Sequence, residues 1–135
     1  SLLEVDESVE SIVDVINLES SDEKLILAGF SQGAAMATEV FMHKKIQHRV
    51  LGMVLISGKA IRPKELYEAL LDNPIPVVWM HGDRDKIVSI EQAHELSNLI
   101  EKANCSILKL QHHKGHMVDL NQKNSIIEWI RLVSK

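Results

Sequence analysis

Apolar residues follow two different rhythms along this chain. From Leu2 to Leu18 they recur at steps of three and four positions with acidic residues between them, which predicts an amphipathic helix. Residues 24–30, 50–58 and 77–82 are instead apolar almost throughout, as is typical of strands buried on both faces of a sheet. Residues 106–110 alternate polar with apolar positions, which predicts a fourth strand at the edge of that sheet.

Helical patterns separate the predicted strands. One runs from Gln32 to about Lys45, one begins at Pro63, one is capped by Ser89 with Gln92 three residues later, and one runs over 120–133. A polar connector, residues 19–23, precedes the first strand. Four helix–strand pairs followed by a last helix predict an α/β fold, a three-layer αβα arrangement with a mostly parallel sheet of about four strands. Ligands of such sheets bind at the carboxyl ends of the strands.

The first predicted strand ends in Gly29-Phe30-Ser31-Gln32-Gly33. This is a G-x-S-x-G pattern in the strand–turn–helix context in which it supplies a nucleophilic serine. The two glycines would permit a tight turn and close packing of the following helix. Ser31 would then expose its hydroxyl at the apex, and the backbone N–H of Gln32 would face a developing oxyanion. The alternative is an ordinary turn bounded by glycines.

A serine hydroxyl becomes a useful nucleophile only beside a histidine that an acid holds in place. Where a G-x-S-x-G turn supplies the serine, the chain order is serine, acid, histidine. The acid is therefore sought after the third strand and the histidine after the fourth: the candidates are Asp83 and Asp85, then His112, His113 and His116.

Spacing alone leaves the acid open, and we favour Asp85 because it lies further from the strand end, just before the apolar pair Ile87-Val88. Asp83, next to the strand, is expected to form the turn or to pair with Arg84. His116 is the favoured base because Gly115 leaves room beside it.

Composition excludes several classes of function. The net charge of −4, without a basic block, gives no electrostatic footprint for nucleic acid. No apolar run approaches the ~20 residues of a membrane span, and the acidic first residues do not form a signal peptide. The one cysteine, Cys105, rules out an internal disulfide and fits a reducing, cytoplasmic compartment, where we expect it to be a packed side chain.

Three motifs together resemble the carboxylesterase/phospholipase/acyl-protein thioesterase family of α/β-hydrolases: residues 29–34, His81-Gly82-Asp83-Arg84-Asp85-Lys86-Ile87-Val88 and Gly115-His116. The resemblance implies a catalytic set of Ser31, Asp85 and His116, with the Gln32 N–H in the oxyanion hole. It implies hydrolysis of small-molecule or protein-bound esters and thioesters through an acyl-serine, with no metal and no organic cofactor. Lys86 stands where the family commonly has proline, and Met117 where it commonly has serine.

The same resemblance implies that the family's earlier strands, and the His-Gly-x-Gly loop that supplies a second oxyanion donor, are missing from residues 1–135. We therefore expect one α/β-hydrolase-like domain, truncated at its N-terminus, whose serine strand leaves an exposed edge. Three explanations follow in order of preference. The chain is a portion of a longer hydrolase, a shorter hydrolase that covers the edge as a homodimer, or a non-catalytic module that binds other proteins.

Overall fold

The computed structural model describes residues 1–20 and 22–135. Ser21 lies outside the described residues, so the predicted connector 19–23 is described only in part. The elements follow the predicted order: α1 (Leu2–Glu19), β1 (Leu25–Phe30), α2 (Gln32–Met42), β2 (Val50–Ile56), α3 (Pro63–Asp72), β3 (Val77–Gly82), α4 (Ile90–Lys102), β4 (Ile107–His112) and α5 (Lys123–Val133). Short 3₁₀ turns at Gln47–Arg49 and Leu120–Gln122 precede β2 and α5.

The four strands form one parallel sheet in the order β1-β2-β3-β4. Because each strand pairs with the next one along the chain, the connecting helices cross on the same side of the sheet. Helices α1 to α4 pack on that side and α5 packs on the other. This arrangement confirms the predicted three-layer α/β fold. It also brings the carboxyl ends of all four strands to the same end of the sheet.

The larger core lies between α1 to α4 and the sheet. Phe41 of α2, Leu66 of α3 and Ile100 of α4 are fully buried against sheet residues that include Trp79. The indole N–H of Trp79 donates to the carbonyl of Ala93 at 3.0 Å, so its polar edge is satisfied inside the core. The capping box predicted for Ser89 and Gln92 is present at the start of α4.

A smaller core lies on the opposite face of the sheet. Val54, Val78, Met80 and Leu110 form it, and Trp129 of α5 packs against them. A Cβ at Gly52 would lie 2.7 Å from the Trp129 ring, so the glycine lets that ring rest directly on β2. Helix α5 covers this face only in part. The Ile127 and Ile130 side chains of this helix are exposed.

Strand β1 is one of the two edge strands of the described sheet: β2 pairs with it on one side, and no described strand lies on its other side. Its apolar run predicted burial on both faces, and that prediction is wrong: Ala28 and Phe30 are exposed and its other residues are only half-buried. The physical reason is that only β2 flanks it. The exposed edge expected for the serine strand is therefore observed among the described residues.

Several boundaries also differ from those predicted. Strand β2, predicted over residues 50–58, ends at Ile56, and β1 and β4 each begin one residue later than predicted. Helix α2 ends at Met42 and not near Lys45, because the chain turns at His43, whose ring meets Glu10 of α1 at 2.9 Å. Strand β4 continues to His112, which pairs in register with Gly82. Helix α5 starts only at Lys123, after a 3₁₀ turn that the Asp119 side chain caps.

Within residues 1–20 and 22–135, no helix combines the length and the apolar character that crossing a membrane requires.

Candidate active site

Ser31 lies at a strained turn between β1 and α2. Its backbone angles are φ 58° and ψ −119°, in a region that residues with a Cβ rarely adopt. The Ser31 N–H donates to the carbonyl of Ile56 at 2.8 Å, and its carbonyl accepts from the Ala34 N–H at 3.0 Å. The turn is thus fixed from both sides.

The two glycines of the turn do not have the same role. A Cβ on Gly29 would lie 2.1 Å from the carbonyl oxygen of Gly33, so only glycine fits there. The close packing expected of Gly33 is not observed, because a Cβ there would meet no heavy atom within 4 Å apart from its chain neighbours and the backbone of its own helix. Gly58 was not predicted from the sequence to matter here, yet a Cβ on it would come within 2.5 Å of the Ala34 Cβ. Gly58 lets the chain after β2 pass close to the start of α2.

Asp85 follows β3 and is held by its own loop. Its Oδ1 accepts hydrogen bonds from the N–H groups of Ile87 at 2.8 Å and Val88 at 2.9 Å, and its side chain is 0% exposed. Burial raises the pKa of Asp85, but the hydrogen bonds from Val88, His116 and Ile87 outweigh burial and leave the pKa below its ordinary value. Asp85 is therefore an ionised carboxylate in a fixed orientation at neutral pH.

His116 connects this carboxylate to the serine. Its Nδ1 lies 2.7 Å from Asp85 Oδ2, and its Nε2 lies 2.8 Å from Ser31 Oγ. Since a carboxylate only accepts, we assign the imidazole proton to Nδ1, which leaves Nε2 to accept from the serine hydroxyl. The Phe30 ring packs 5.0 Å from the imidazole, and the side chain of His116 remains 21% exposed. The imidazole is therefore partly open to solvent.

The other candidate side chains lie elsewhere. Asp83 lies in the turn after β3, which was one of the two roles expected for it. Its carboxylate pairs with His113 and not with Arg84: Asp83 Oδ2 lies 2.7 Å from His113 Nδ1. The His113 side chain is 85% exposed. His112 is buried, which lowers its pKa, and its Nδ1 accepts from the Lys114 N–H at 3.1 Å. Of the three histidines, His116 is the one that meets Ser31.

The loops after β3 and β4 are docked against each other. The Asp83 N–H donates to the His112 carbonyl at 2.9 Å, and the Arg84 N–H donates to the Lys114 carbonyl at 3.2 Å. A Cβ on Gly82 would lie 2.2 Å from that Lys114 carbonyl oxygen. This role of Gly82 was not predicted from the sequence, although the position of the glycine at the end of a strand, directly after His81, was a signal for it. This docking sets the distance between Asp85 and His116.

Asp119 secures the far end of the second loop. Its carboxylate accepts from Lys114 Nζ at 2.8 Å, Gln122 Nε2 at 2.9 Å and the Asn121 N–H at 3.2 Å. The hydrogen bonds from Lys114 and Gln122 lower the pKa of Asp119 to about 2. Lys114 lies two residues before His116, so this contact also limits the freedom of the imidazole.

Gln32 begins α2 directly after the serine. The first N–H groups of a helix have no partner within the helix, and no hydrogen bond from the Gln32 N–H occurs within the described part of the chain. A free N–H beside a serine that is bonded to an imidazole can stabilise negative charge on a substrate oxygen.

Cys105 is buried, and burial raises the pKa of its thiol, in keeping with the packed role expected for it.

The phospholipase/carboxylesterase family matches residues 3–134, nearly the whole chain. The chain belongs to this family. Its relatives include acyl-protein thioesterase 1 homolog 1 of Dictyostelium discoideum, which is 31% identical over 90 residues, 63% of this chain and 39% of that protein. Acyl-protein thioesterase 1 of Kluyveromyces lactis is 27% identical over 116 residues, 82% of this chain and 50% of that protein. The chain thus spans about half the length, or less, of these curated relatives.

Solved structures with lower sequence identity to this chain share its fold. Acyl-protein thioesterase 2 of Zea mays superposes with a TM-score of 0.77 at 22% identity, over 96% of this chain and 64% of that one. The carboxylesterase of Bacillus cereus superposes with a TM-score of 0.72 at 19% identity, over 98% of this chain and 61% of that one. The family member described here therefore has the sheet and helices of the corresponding part of these structures.

The two glycines of the serine turn provide a matched pair of substitutions. Gly29→Ala should lower the free energy of unfolding by about 1–3 kcal/mol or more, because backbone atoms that cannot move aside occupy the Cβ position. Gly33→Ala adds a methyl group in open space within a helix. It should raise the free energy of unfolding by no more than about 1 kcal/mol. Urea unfolding measures both. Equal effects of the two substitutions would contradict the turn geometry.

The low pKa of Asp119 predicts a pH-dependent contribution to stability. A carboxylate whose pKa is lowered on folding stabilises the fold above its unfolded pKa of about 3.9, and this stabilisation disappears as the pH falls through about 2. The difference in urea midpoint between the wild type and Asp119→Asn should be constant from pH 7 to pH 5 and fall to about half at pH 3. If the difference in urea midpoint is undiminished at pH 3, ionised Asp119 is not the source of the extra stability.

Proposed function

We propose that this chain is a serine hydrolase that cleaves carboxylic esters or acyl thioesters through an acyl-serine intermediate. The observation that carries the proposal is the His116 imidazole, which lies 2.8 Å from Ser31 Oγ and 2.7 Å from Asp85 Oδ2. Membership of the phospholipase/carboxylesterase family supports it. Ser31 is the proposed nucleophile, His116 the general base and Asp85 the group that orients the base.

In the first half of the proposed reaction, Ser31 Oγ attacks the carbonyl carbon while His116 Nε2 takes the hydroxyl proton. Asp85 stabilises the imidazolium that forms. The Gln32 N–H donates to the carbonyl oxygen as it becomes negative. When the tetrahedral intermediate collapses, His116 gives the proton to the leaving alcohol or thiol, and the acyl group remains on Ser31.

The second half repeats these steps with water. His116 removes a proton from a water molecule as its oxygen attacks the acyl carbonyl, and the carboxylic acid leaves as the proton returns to Ser31 Oγ. Each proton transfer uses the same Nε2 atom, so neither a metal nor an organic cofactor takes part in this sequence.

The proposed substrates are small-molecule esters and acylated proteins. This proposal is supported by the names of similar proteins: two relatives are named acyl-protein thioesterases, and one structural neighbour is named a carboxylesterase. The single cysteine, which is buried, supports the proposed cytoplasmic location.

A second candidate function, a protein-binding module, is favoured by the exposed edge of β1 and by apolar residues on the outer face of α1. Leu18 is 85% exposed and Leu3 is 68% exposed. An unpaired edge strand readily pairs with another chain. A homodimer that pairs along β1 is the proposed way of covering this edge, and it is compatible with hydrolysis.

Substitution of Ser31 and of two neighbouring aspartates, Asp85 and Asp83, tests the proposed roles. Ser31→Ala should abolish labelling by a fluorophosphonate and hydrolysis of a p-nitrophenyl ester. Asp85→Asn should lower kcat by about 10⁴-fold, because the imidazole loses the partner that fixes its tautomer. Asp83→Asn serves as the control and should change kcat by less than about threefold, since its contact with His113 is exposed and worth little. Equal losses in the two asparagine variants, or a wild type that never labels, would contradict the proposal.

The proposed homodimer predicts a mass of two chains in light scattering coupled to size-exclusion chromatography. Ala28→Lys places a charge on the exposed part of β1 and should shift the mass to one chain. Leu132→Lys, an exposed position on α5, is the control and should leave the dimer intact. A folded wild type that elutes with the mass of one chain at every concentration would exclude the dimer.

A further inference from the structure

His81 is a fully buried histidine next to the proposed site that the reaction above does not use. It lies one residue before the end of β3, and its Nε2 is 2.8 Å from the Val88 carbonyl oxygen and 3.5 Å from Asp85 Oδ2. Both neighbours are acceptors, so the proton belongs on Nε2. The ring is stacked on Trp79, with centroids 6.0 Å apart, and this contact fixes its plane.

Val88 connects His81 to the carboxylate. Its carbonyl accepts from His81, and its N–H donates to Asp85 Oδ1 at 2.9 Å. The loop from Asp85 to Val88 is therefore held at its carboxyl end by a side chain of the rigid strand. Asp85 in turn holds His116 through the 2.7 Å contact already described.

We propose that His81 is a positioning residue for the hydrolase reaction, whose Nε2–H fixes Val88 and thereby the orientation of the Asp85 carboxylate that holds His116. This inference rests on the proposed function. His81 touches neither Ser31 nor His116 within hydrogen-bond distance in the described structure, so it acts through Val88 and Asp85.

If His81 only filled space, any side chain of similar volume could replace it; if its N–H matters, only a side chain with a donor could. Its other ring nitrogen, Nδ1, is buried and has no hydrogen-bond partner among the described residues. The polar contribution of the side chain is therefore confined to one N–H at one position. Glutamine can place an amide N–H at a similar distance from its Cα, whereas leucine fills a similar space with no donor. If the N–H matters, glutamine replaces histidine and leucine does not.

The test compares His81→Gln and His81→Leu with a control, Leu66→Ala, which removes buried volume from α3 and the core away from the loops. Hydrolysis of a p-nitrophenyl ester is measured per folded molecule. We expect His81→Leu to lower kcat by about 100-fold, because a displacement of about 1 Å in a catalytic group has that effect. KM should change less than about twofold, since His81 does not contact substrate. His81→Gln should recover at least half of the loss on a logarithmic scale, and Leu66→Ala should keep the wild-type kcat.

A loss below tenfold in His81→Leu, or a His81→Gln variant as impaired as His81→Leu, would overturn the proposal. If His81→Leu does not fold, His81→Asn takes its place, because its shorter amide cannot reach the Val88 carbonyl. The proton between His116 and Asp85 gives a readout independent of turnover, as a downfield NMR resonance. It should persist in His81→Gln and broaden or disappear in His81→Leu, and an unchanged resonance in both would also overturn the proposal. A wild type that shows this resonance but never hydrolyses an ester would refute the proposed function and leave the positioning of Asp85 by His81 to be decided by NMR.

Discussion

The imidazole of His116 is the contact on which the arrangement of this site depends. Its two nitrogens join Ser31, 85 residues away in the sequence, to Asp85, 31 residues away. Such a contact forms only if the ends of β1, β3 and β4 reach the same edge of the sheet. Parallel strands in the order β1-β2-β3-β4 provide that edge, because all four end there.

Each partner of the imidazole is restrained before any substrate arrives. Ser31 is held in a strained conformation by hydrogen bonds to β2 and α2, and the absence of a Cβ at Gly29 makes that turn sterically possible. Asp85 is held by two N–H groups of its own loop. In a buried setting, groups fixed in this way interact strongly and need little reorganisation when charge develops. The fold therefore positions the side chains, and local hydrogen bonds orient them.

The sequence predicted the fold well because periodicity and turn residues are local signals. Strand β3 and the capping box of α4 have the predicted bounds, and the serine turn lies between the predicted strand and helix. Spacing could not decide between Asp83 and Asp85, since both follow the same strand end. The contacts with His113 and His116 separate them, and those contacts depend on how two loops far apart in the chain are docked. The roles of Gly58 and Gly82 were missed for the same reason, because the atoms that crowd them lie 24 or more residues away. The apolar run of β1, taken alone, predicted burial on both faces, because such a run reports composition and not which elements stand beside the strand. The family resemblance, and not the run itself, predicted the exposed edge.

The measurement that tests the central claim most directly is a crystal structure of the chain after reaction with a fluorophosphonate. The account predicts density continuous from Ser31 Oγ to phosphorus, with a phosphoryl oxygen within hydrogen-bond distance of the Gln32 N–H and His116 still bonded to Asp85. An adduct on another residue, or a His116 ring that lies outside hydrogen-bond distance of both Ser31 and Asp85, would contradict it.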